Sequence, residues 1–423
     1  MKVLVIGGGG REHAIVWSLR RSPQVTEVVC APGNGGIAEI ARCVPVDVND
    51  LATMAHLAAA EKPGLTVIGP EVPLALGIVD ELERLGLRVF GPTKAAARLE
   101  SSKAFAKSFM QRNGIPTAAY AVCSTLDQVR AELGSFTAPV VVKADGLAAG
   151  KGVVICNTHA EAEQAAAEMF SGALLGKTEA EVVLEEFLTG EELSFFALCD
   201  GTHAVEIASA QDHKRVGEGD TGPNTGGMGA YSTDGIATPA MRQWLLRNVA
   251  QKVVDGMKSE GTPFKGILFC GLMMTPRGPM VLEFNTRWGD PETEAILLRM
   301  ETDLCDLFNA SIDGTANRLA VKMHPGASAC VIAASGGYPG KYASGKPIHG
   351  LAAGSVREDV VVFHAGTVLK DGQLVTAGGR VLAVSAMAPD LRAALDKAYT
   401  ELAKISFEGM QFRRDIGHRA LRG

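Results

Sequence analysis

The chain has 423 residues, 47% of them hydrophobic and 21% charged, with 49 glycines; this balance excludes a disordered chain and sets an expectation of two to four domains in a loop-rich α/β enzyme. The formal net charge of −6 argues against a general nucleic-acid binder, which needs a basic surface, and leaves room for small anions bound locally. Eight scattered cysteines without a Cys-x-x-Cys pair offer no metal-type spacing and read as reduced thiols of a cytoplasmic protein.

From the first residues the chain is expected to enter a strand. The apolar run there is too short for a signal peptide or a membrane span, so no membrane partner is expected. Val3–Ile6, Glu27–Ala31, Leu65–Ile68 and Arg88–Phe90 read as strands with helical stretches between them, a βαβ series and hence an open parallel sheet. Each strand runs into a turn-forming cluster, at Gly7–Gly10, Pro32–Gly36, Gly69–Pro70 and Gly91–Pro92, where ligands of such sheets bind. From Thr93 a long helical stretch follows. Strands are then expected at Val140–Lys143, Val153–Cys156, Glu181–Phe187, Leu193–Cys199, Gly266–Met274 and Met280–Asn285, with antiparallel hairpins. Gln211–Tyr231 reads as a polar glycine-rich loop and Met241–Ser259 as a helix. After Val321 short apolar runs between Gly and Pro turns read as a smaller β-rich part with a last helix near Leu391–Lys404.

The fold class is thus α/β and α+β multidomain. An N-terminal α/β substrate-binding domain is expected over 1–102 and a central domain over 103–320, carrying a mobile lid at about 120–190. A C-terminal β-rich domain is expected over 321–423.

Gly7-Gly8-Gly9-Gly10-Arg11-Glu12-His13 lies between a strand and a helix, where free backbone N–H groups and the helix dipole suit a phosphate. A dinucleotide site would also need an acidic residue after the second strand, to hold ribose hydroxyls; Ala31-Pro32-Gly33-Asn34 stands there instead. A phosphate-bearing substrate is therefore favoured over NAD or FAD and over a plain tight turn. Asp145-Gly146-Leu147-Ala148-Ala149-Gly150-Lys151-Gly152 is not a Walker A loop, because three residues separate its glycines and Gly follows Lys151 where Ser or Thr should bind magnesium. Between two strands it reads as a flexible flap over a nucleotide, with Lys143 adding a point charge. Glu185-Glu186-Phe187-Leu188 ends a strand where carboxylates and backbone can meet an adenine amine and ribose hydroxyls. In Glu283-Phe284-Asn285-Thr286-Arg287, strand alternation puts Glu283, Asn285 and Arg287 on one face. The first two are hard oxygen ligands suited to magnesium, and Arg287 can stabilise charge on a transferring phosphoryl group.

Together these residues resemble the ATP-grasp superfamily and, within it, the phosphoribosylamine–glycine ligase family, over essentially the whole chain. The resemblance is carried by Gln211–Gly217, Asp220–Ala230 and Arg287-Trp288-Gly289-Asp290-Pro291-Glu292. Val67–Leu74, Gly337–Gly340 and Phe363–Thr367 support it. It implies an ADP-forming ligase of de novo purine (IMP) biosynthesis that joins glycine to 5-phosphoribosylamine through glycyl phosphate, with ATP as co-substrate and Mg2+ or Mn2+ as cofactor. By the same resemblance Lys103, Lys143, Gly146, Gly150, Lys151 and Gly152 contact or cover the ATP phosphates, and Glu185, Glu186, Phe187, Leu188 and Glu191 hold adenosine. Glu283 and Asn285 bind the metal; Arg287, Asp212 and Lys143 are catalytic. Gly9, Gly10, Arg11 and Asn34 meet the ribose phosphate, and Asp212, Asn224, Gly226, Gly227, Arg287 and Asp290 complete the substrate sites. The partners implied are small molecules only; a monomer is compatible with the sequence, which does not fix the oligomeric state.

Three departures from the family pattern stand out. Gly271–Met274 supplies none of the carboxylates that the corresponding superfamily strand commonly carries, Trp288 stands where Phe is usual, and Ser101-Ser102 replaces a Gly-Ser pair. A nucleotide-binding regulator without turnover would not need Lys143, Glu283, Asn285 and Arg287 together.

Overall fold

The computed structural model describes residues 1–147, 152–174, 176, 178–351 and 359–421. Among them, β1 (Lys2–Gly7), β2 (Glu27–Pro32), β3 (Arg42–Cys43), β4 (Leu65–Ile68) and β5 (Val89–Phe90) form a parallel sheet in the order β3-β2-β1-β4-β5. Its strands read as near-continuous apolar runs because helices cover both faces. The glycine run at the end of β1 leads directly into the helix Gly10–Arg20, as the sequence predicts.

A second, antiparallel sheet contains β6 (Tyr120–Cys123), β7 (Val140–Ala144), β8 (Val153–Cys156) and β9 (Val182–Glu186), in the order β6-β9-β7-β8. The strand at β6 and the helix Leu126–Leu133 were hidden in the sequence, since four residues at a sheet edge carry little periodicity. Thr125 caps that helix by accepting a bond from the Gln128 N–H, the usual device for its orphan donors.

The third sheet is the largest. It runs β16-β15-β10-β11-β14-β17-β21-β18, from β10 (Glu191–Asp200), β11 (Ala204–Asp212), β14 (Gly229–Thr233), β15 (Lys265–Thr275), β16 (Gly278–Asn285), β17 (Ala327–Ala334), β18 (Val360–His364) and β21 (Arg380–Ala388). The expected loop Gln211–Tyr231 is partly strand. Its ends belong to β11 and β14, and a hairpin of β12 (Arg215–Gly217) and β13 (Thr221–Asn224) lies between them. Small and polar residues there carry no apolar alternation; pairing of β14 with β17 supplies the backbone partners instead. Through this pairing the strands after Val321 continue the central sheet. A further hairpin, β19 (Thr367–Lys370) with β20 (Gln373–Thr376), projects from them. The helix expected over Met241–Ser259 starts at Pro239 behind the capping Thr238 and passes through a π turn at Leu246–Ala250.

The parts are locked together by buried contacts. Phe90 packs on Phe308 at 4.2 Å, and Ser22 donates to Asp303 at 2.7 Å. Trp288, 2% exposed, stacks on Phe196, which stacks on Phe269; burial of one such aromatic contributes about 2–3 kcal/mol. All eight cysteines are free. Among the described residues no helix is long and apolar enough to cross a membrane.

Candidate active site

The site is built around the end of β16. Glu283 pairs in register with Gly271 on β15, and a bulge follows at Leu282, so the neighbouring strand presents no side chain beside Glu283. Bulges re-aim side chains and free backbone groups. The Leu282 carbonyl accepts a bond from Lys143 Nζ at 3.4 Å. β16 ends at Asn285 and Arg287 lies in the bend beyond it, so strand alternation does not reach Arg287; its Nη2 comes back to donate to Asn285 Oδ1 at 3.2 Å. Burial opposes ionisation of Glu283, but Lys214, Lys143, Lys103 and Arg287 outweigh it and hold its carboxyl below the ordinary range. Four cations thus surround one carboxylate, and of these Lys143, Lys214 and Arg287 are each shared with further acids, so their charge can be turned to an arriving polyphosphate.

Arg287 is held as a fork. Its Nη2 lies 2.8 Å from Glu100, its Nε 3.4 Å from Glu71, and its Nη1 donates to the Trp288 carbonyl at 3.2 Å. Glu100 also accepts from the N–H and hydroxyl of Thr286. Glu71 lies in the quoted Val67–Leu74 run but neither acid stands out as a partner of Arg287 in the sequence; the fold alone brings them together.

Facing β16, β7 presents Lys143, whose Nζ is 2.8 Å from Glu185. Burial opposes the charge on Glu185, and Lys143 and Lys107 reverse that effect, keeping its carboxyl below the usual range. Glu185 is therefore committed to two ammonium groups. Lys103 begins the helix Lys103–Arg112 and donates to the Gly146 carbonyl at 3.0 Å; Asp145 accepts from the Ala104 N–H and from Ser102. The loop's two described ends are thereby tied down, with the Gly152 carbonyl accepting from the Ala144 N–H. Gly146 has φ +93°, a conformation that glycine adopts without strain. Gly150 and Lys151 lie outside the described residues. Glu186 pairs with Arg277 at 2.6 Å, Leu188 is buried, Phe187 is half-buried and Glu191 is exposed at the start of β10.

A third group gathers where the glycine run meets the last strands. Asp290 binds Arg380 at 3.0 Å, and Arg380 also donates to the carbonyls of Gly226 and Asp290 at 2.7 and 2.8 Å. Gly226 N–H donates to Tyr338 at 3.0 Å. Gly227 packs so closely on Pro291 that a Cβ would lie 2.4 Å from its Cδ. A Cβ on Gly9 would stand 3.5 Å from Asp290, which places the glycine run, the Gly226–Gly227 turn and Arg380 around one space. Two expectations change in detail. The Gly9 N–H is not free, because Glu12 accepts it at 2.7 Å in a capping arrangement. The Asn34 side chain is fully used by the protein, donating to the Gly8 and His364 carbonyls and accepting from Gly36 and Ile37. Arg11 is buried against Glu12 at 2.6 Å and donates to the Trp288 carbonyl. Asn224 is exposed on the β12–β13 hairpin, and no described contact joins it to this group.

Asp212 and Glu292 complete the floor. Burial raises Asp212 against the pull of Lys214, 3.4 Å away, which also pairs with Glu192. Burial and the neighbouring Asp212 push Glu292 up to about 7, and Ser194 donates to it at 3.1 Å. Glu292, Arg380 and Tyr338 join Glu71, Glu100, Lys107 and Lys214 among the site residues that sequence reasoning left without a role; Glu292 was visible in the Gly-Asp-Pro-Glu run, but its partner Asp212 lies 80 residues away. Among the described residues no group of three or more His, Cys, Asp or Glu side chains could hold a metal ion. Glu283 and Asn285 offer hard oxygen atoms of the kind magnesium takes, with Asn285 Oδ1 here accepting from Arg287.

The chain matches the family models for the phosphoribosylglycinamide synthetase N domain over residues 1–100, the ATP-grasp (A) domain over 101–293 and the C domain over 328–419. It is 51% identical over 425 residues to the phosphoribosylamine–glycine ligase of Xanthomonas campestris pv. campestris, covering 100% of this chain and 98% of that protein. The Ralstonia nicotianae protein of the same name is 49% identical, with 100% of both chains covered. The crystal structure of phosphoribosylamine–glycine ligase from Thermotoga maritima superimposes with a TM-score of 0.86 at 36% identity, over 99% of this chain and 100% of that one.

Proposed function

The chain belongs to the phosphoribosylglycinamide synthetase family, and from that premise we propose that its cleft joins glycine to 5-phosphoribosylamine, with ATP converted to ADP and phosphate, in de novo purine biosynthesis. The observation that carries this reading is the convergence of Lys103, Lys143, Lys214 and Arg287 on Glu283, beside the glycine run at the end of β1.

A carboxylate is a poor electrophile, so a glycine carboxylate oxygen attacks the γ-phosphorus and the bond to the β,γ-bridging oxygen breaks, giving glycyl phosphate and ADP. The amine nitrogen of phosphoribosylamine then attacks the acyl carbon, and the carbon–oxygen bond to phosphate breaks. Positioning and charge neutralisation dominate such transfers. Lys103 and Lys143 take the ATP phosphates, with Gly146 and Gly152 at the ends of the covering loop. Adenosine lies along Glu186, Phe187, Leu188 and Glu191, and Glu185 acts through Lys143. Magnesium or manganese held by Glu283 and Asn285 would neutralise phosphate charge. Arg287 faces the acyl phosphate, and Asp212, which burial keeps more basic than an ordinary aspartate, accepts the proton lost by the attacking amine. Gly9, Gly10 and Arg11 meet the ribose phosphate, with Asp290 and Gly226–Gly227 closing that end. The domains of this reading are 1–102, 103–320 with a lid near 120–190, and 321–423. The enzyme acts in the cytoplasm, a reading supported by its eight unpaired thiols.

The test is ADP release measured with each substrate omitted in turn. Release should require glycine and freshly made phosphoribosylamine together; release that ignores either would refute the assignment.

One variant separates the substrate ends. Gly9 has φ −88°, which valine tolerates, so Gly9→Val should fold once the Glu12 carboxylate, 3.0 Å from the Cβ position, shifts slightly, while its side chain crowds the space beside Asp290, 3.5 Å away. The Michaelis constant for phosphoribosylamine should rise about tenfold or more, with that for ATP nearly unchanged. Equal losses for both would place the effect in the fold, and tight NAD binding by the parent would overturn the phosphate reading of the glycine run.

A further inference from the structure

Lys107 has no part in the reading above, yet it is among the most deeply buried cations of the molecule, 2% exposed. It lies on the helix Lys103–Arg112, one turn beyond Lys103. Its Nζ is 2.8 Å from Glu185 Oε2 and donates to Thr117 Oγ1 at 2.7 Å. Thr117 in turn donates to the Val281 carbonyl at 2.6 Å, one residue before the Leu282 carbonyl that Lys143 reaches. The other oxygen of Glu185 holds Lys143 at 2.8 Å. One buried carboxylate is thus shared by two ammonium groups, Lys107 anchored to β16 through the short Thr117 bond and Lys143 held there only by a long 3.4 Å contact with the Leu282 carbonyl.

This sharing matters when a phosphate arrives. For Lys143 to turn its charge to an anionic ligand it must loosen its hold on Glu185. With Lys143 as sole partner, that movement would leave a buried carboxylate uncompensated, one of the least favourable arrangements in a protein interior. Lys107 removes the difficulty, because it stays in place on its own hydrogen bond to Thr117. We infer that Lys107 is a positioning residue of the ATP site, keeping Glu185 compensated so that Lys143 can leave it for a nucleotide phosphate. The cost of burying Lys107 supports a purpose beyond packing: burial lowers it to about 8 even though Glu185 opposes the shift.

The inference rests on the reading that ATP occupies the cleft beside Lys143, and it is tested by calorimetric titration of ATP and, separately, of adenosine. Lys107→Met, close in volume, should weaken ATP binding about tenfold while leaving adenosine within about twofold, and Lys107→Arg should restore ATP binding to within about threefold of the parent. Unchanged ATP binding in Lys107→Met would overturn the inference, as would equal losses for ATP and adenosine, which would mark a general defect of the lid sheet. Should Lys107→Met not fold, the near-isosteric Thr117→Val carries the test. It removes one anchor of Lys107 and should weaken ATP alone by about threefold; ATP binding equal to the parent's would overturn the inference. The two readings fail separately. A parent that releases no glycine-dependent ADP refutes the functional assignment, whereas an active parent with an indifferent Lys107 refutes only this one.

Discussion

Replacing Glu283 by glutamine is expected to lower turnover roughly a hundredfold and to raise the magnesium concentration needed for half-maximal activity. Two effects combine. The substitution removes the one anionic ligand of the proposed metal pair, and it leaves Lys214, Lys143, Lys103 and Arg287 without the carboxylate on which they converge. Because those cations then repel one another inside the cleft, the thermal midpoint should be measured alongside the rate, so that a loss of folding is not taken for a loss of catalysis. ATP affinity itself should fall less than turnover, since Lys103 and Lys143 remain to meet the phosphates. Near-parent activity at low magnesium would remove Glu283 from the site.

The second large effect is expected from Arg287→Lys, which keeps the charge and removes the fork. Arg287 uses three nitrogens at once, toward Glu100, Glu71, Asn285 and the Trp288 carbonyl. An ammonium is a point charge on a flexible stem and cannot satisfy these directions together. Loss of one well-placed donor at a developing anion costs about 10²–10³ in turnover, and the lysine variant should fall in that range with its Michaelis constant for ATP within about threefold. Glu100, which burial pushes above the ordinary carboxylate range against the pull of Arg287, should then take up a proton more readily. A lysine variant within a few-fold of the parent would show that the planar fork is unnecessary.

The parts of this site that were legible in the sequence are those whose chemistry is compressed into a few adjacent residues. The glycine run after β1 and the Glu-x-Asn-x-Arg segment stand out locally, although β16 ends at Asn285 and Arg287 lies in the bend beyond it, so the place of Arg287 comes from its hydrogen bonds and not from strand alternation. Lys143 was likewise readable locally, at the end of an apolar strand ahead of glycines. What stayed hidden depends on long-range contacts. Arg380 reaches Gly226 and Asp290 only because β21 joins the central sheet through β17 and β14. Lys107 looks like any lysine on an amphipathic helix until Glu185 is found beside it. The Gln211–Tyr231 segment read as loop because its strands are specified by their neighbours and not by their own pattern. Asn34, chosen as a ligand residue from its place after β2, spends its amide on the Gly8 and His364 carbonyls; a polar side chain in a turn serves the backbone as readily as a substrate.

The central claim is that the glycine carboxylate is activated by phosphorylation, and it is tested most directly with glycine labelled by oxygen-18 in its carboxyl group. The label is followed into inorganic phosphate by mass spectrometry during turnover with ATP and phosphoribosylamine. An acyl phosphate requires that the oxygen bonded to phosphorus leave with it, so each phosphate released should carry one labelled atom and the new amide should retain the other. Phosphate released without label, at a rate matching formation of the ribonucleotide, would contradict the account.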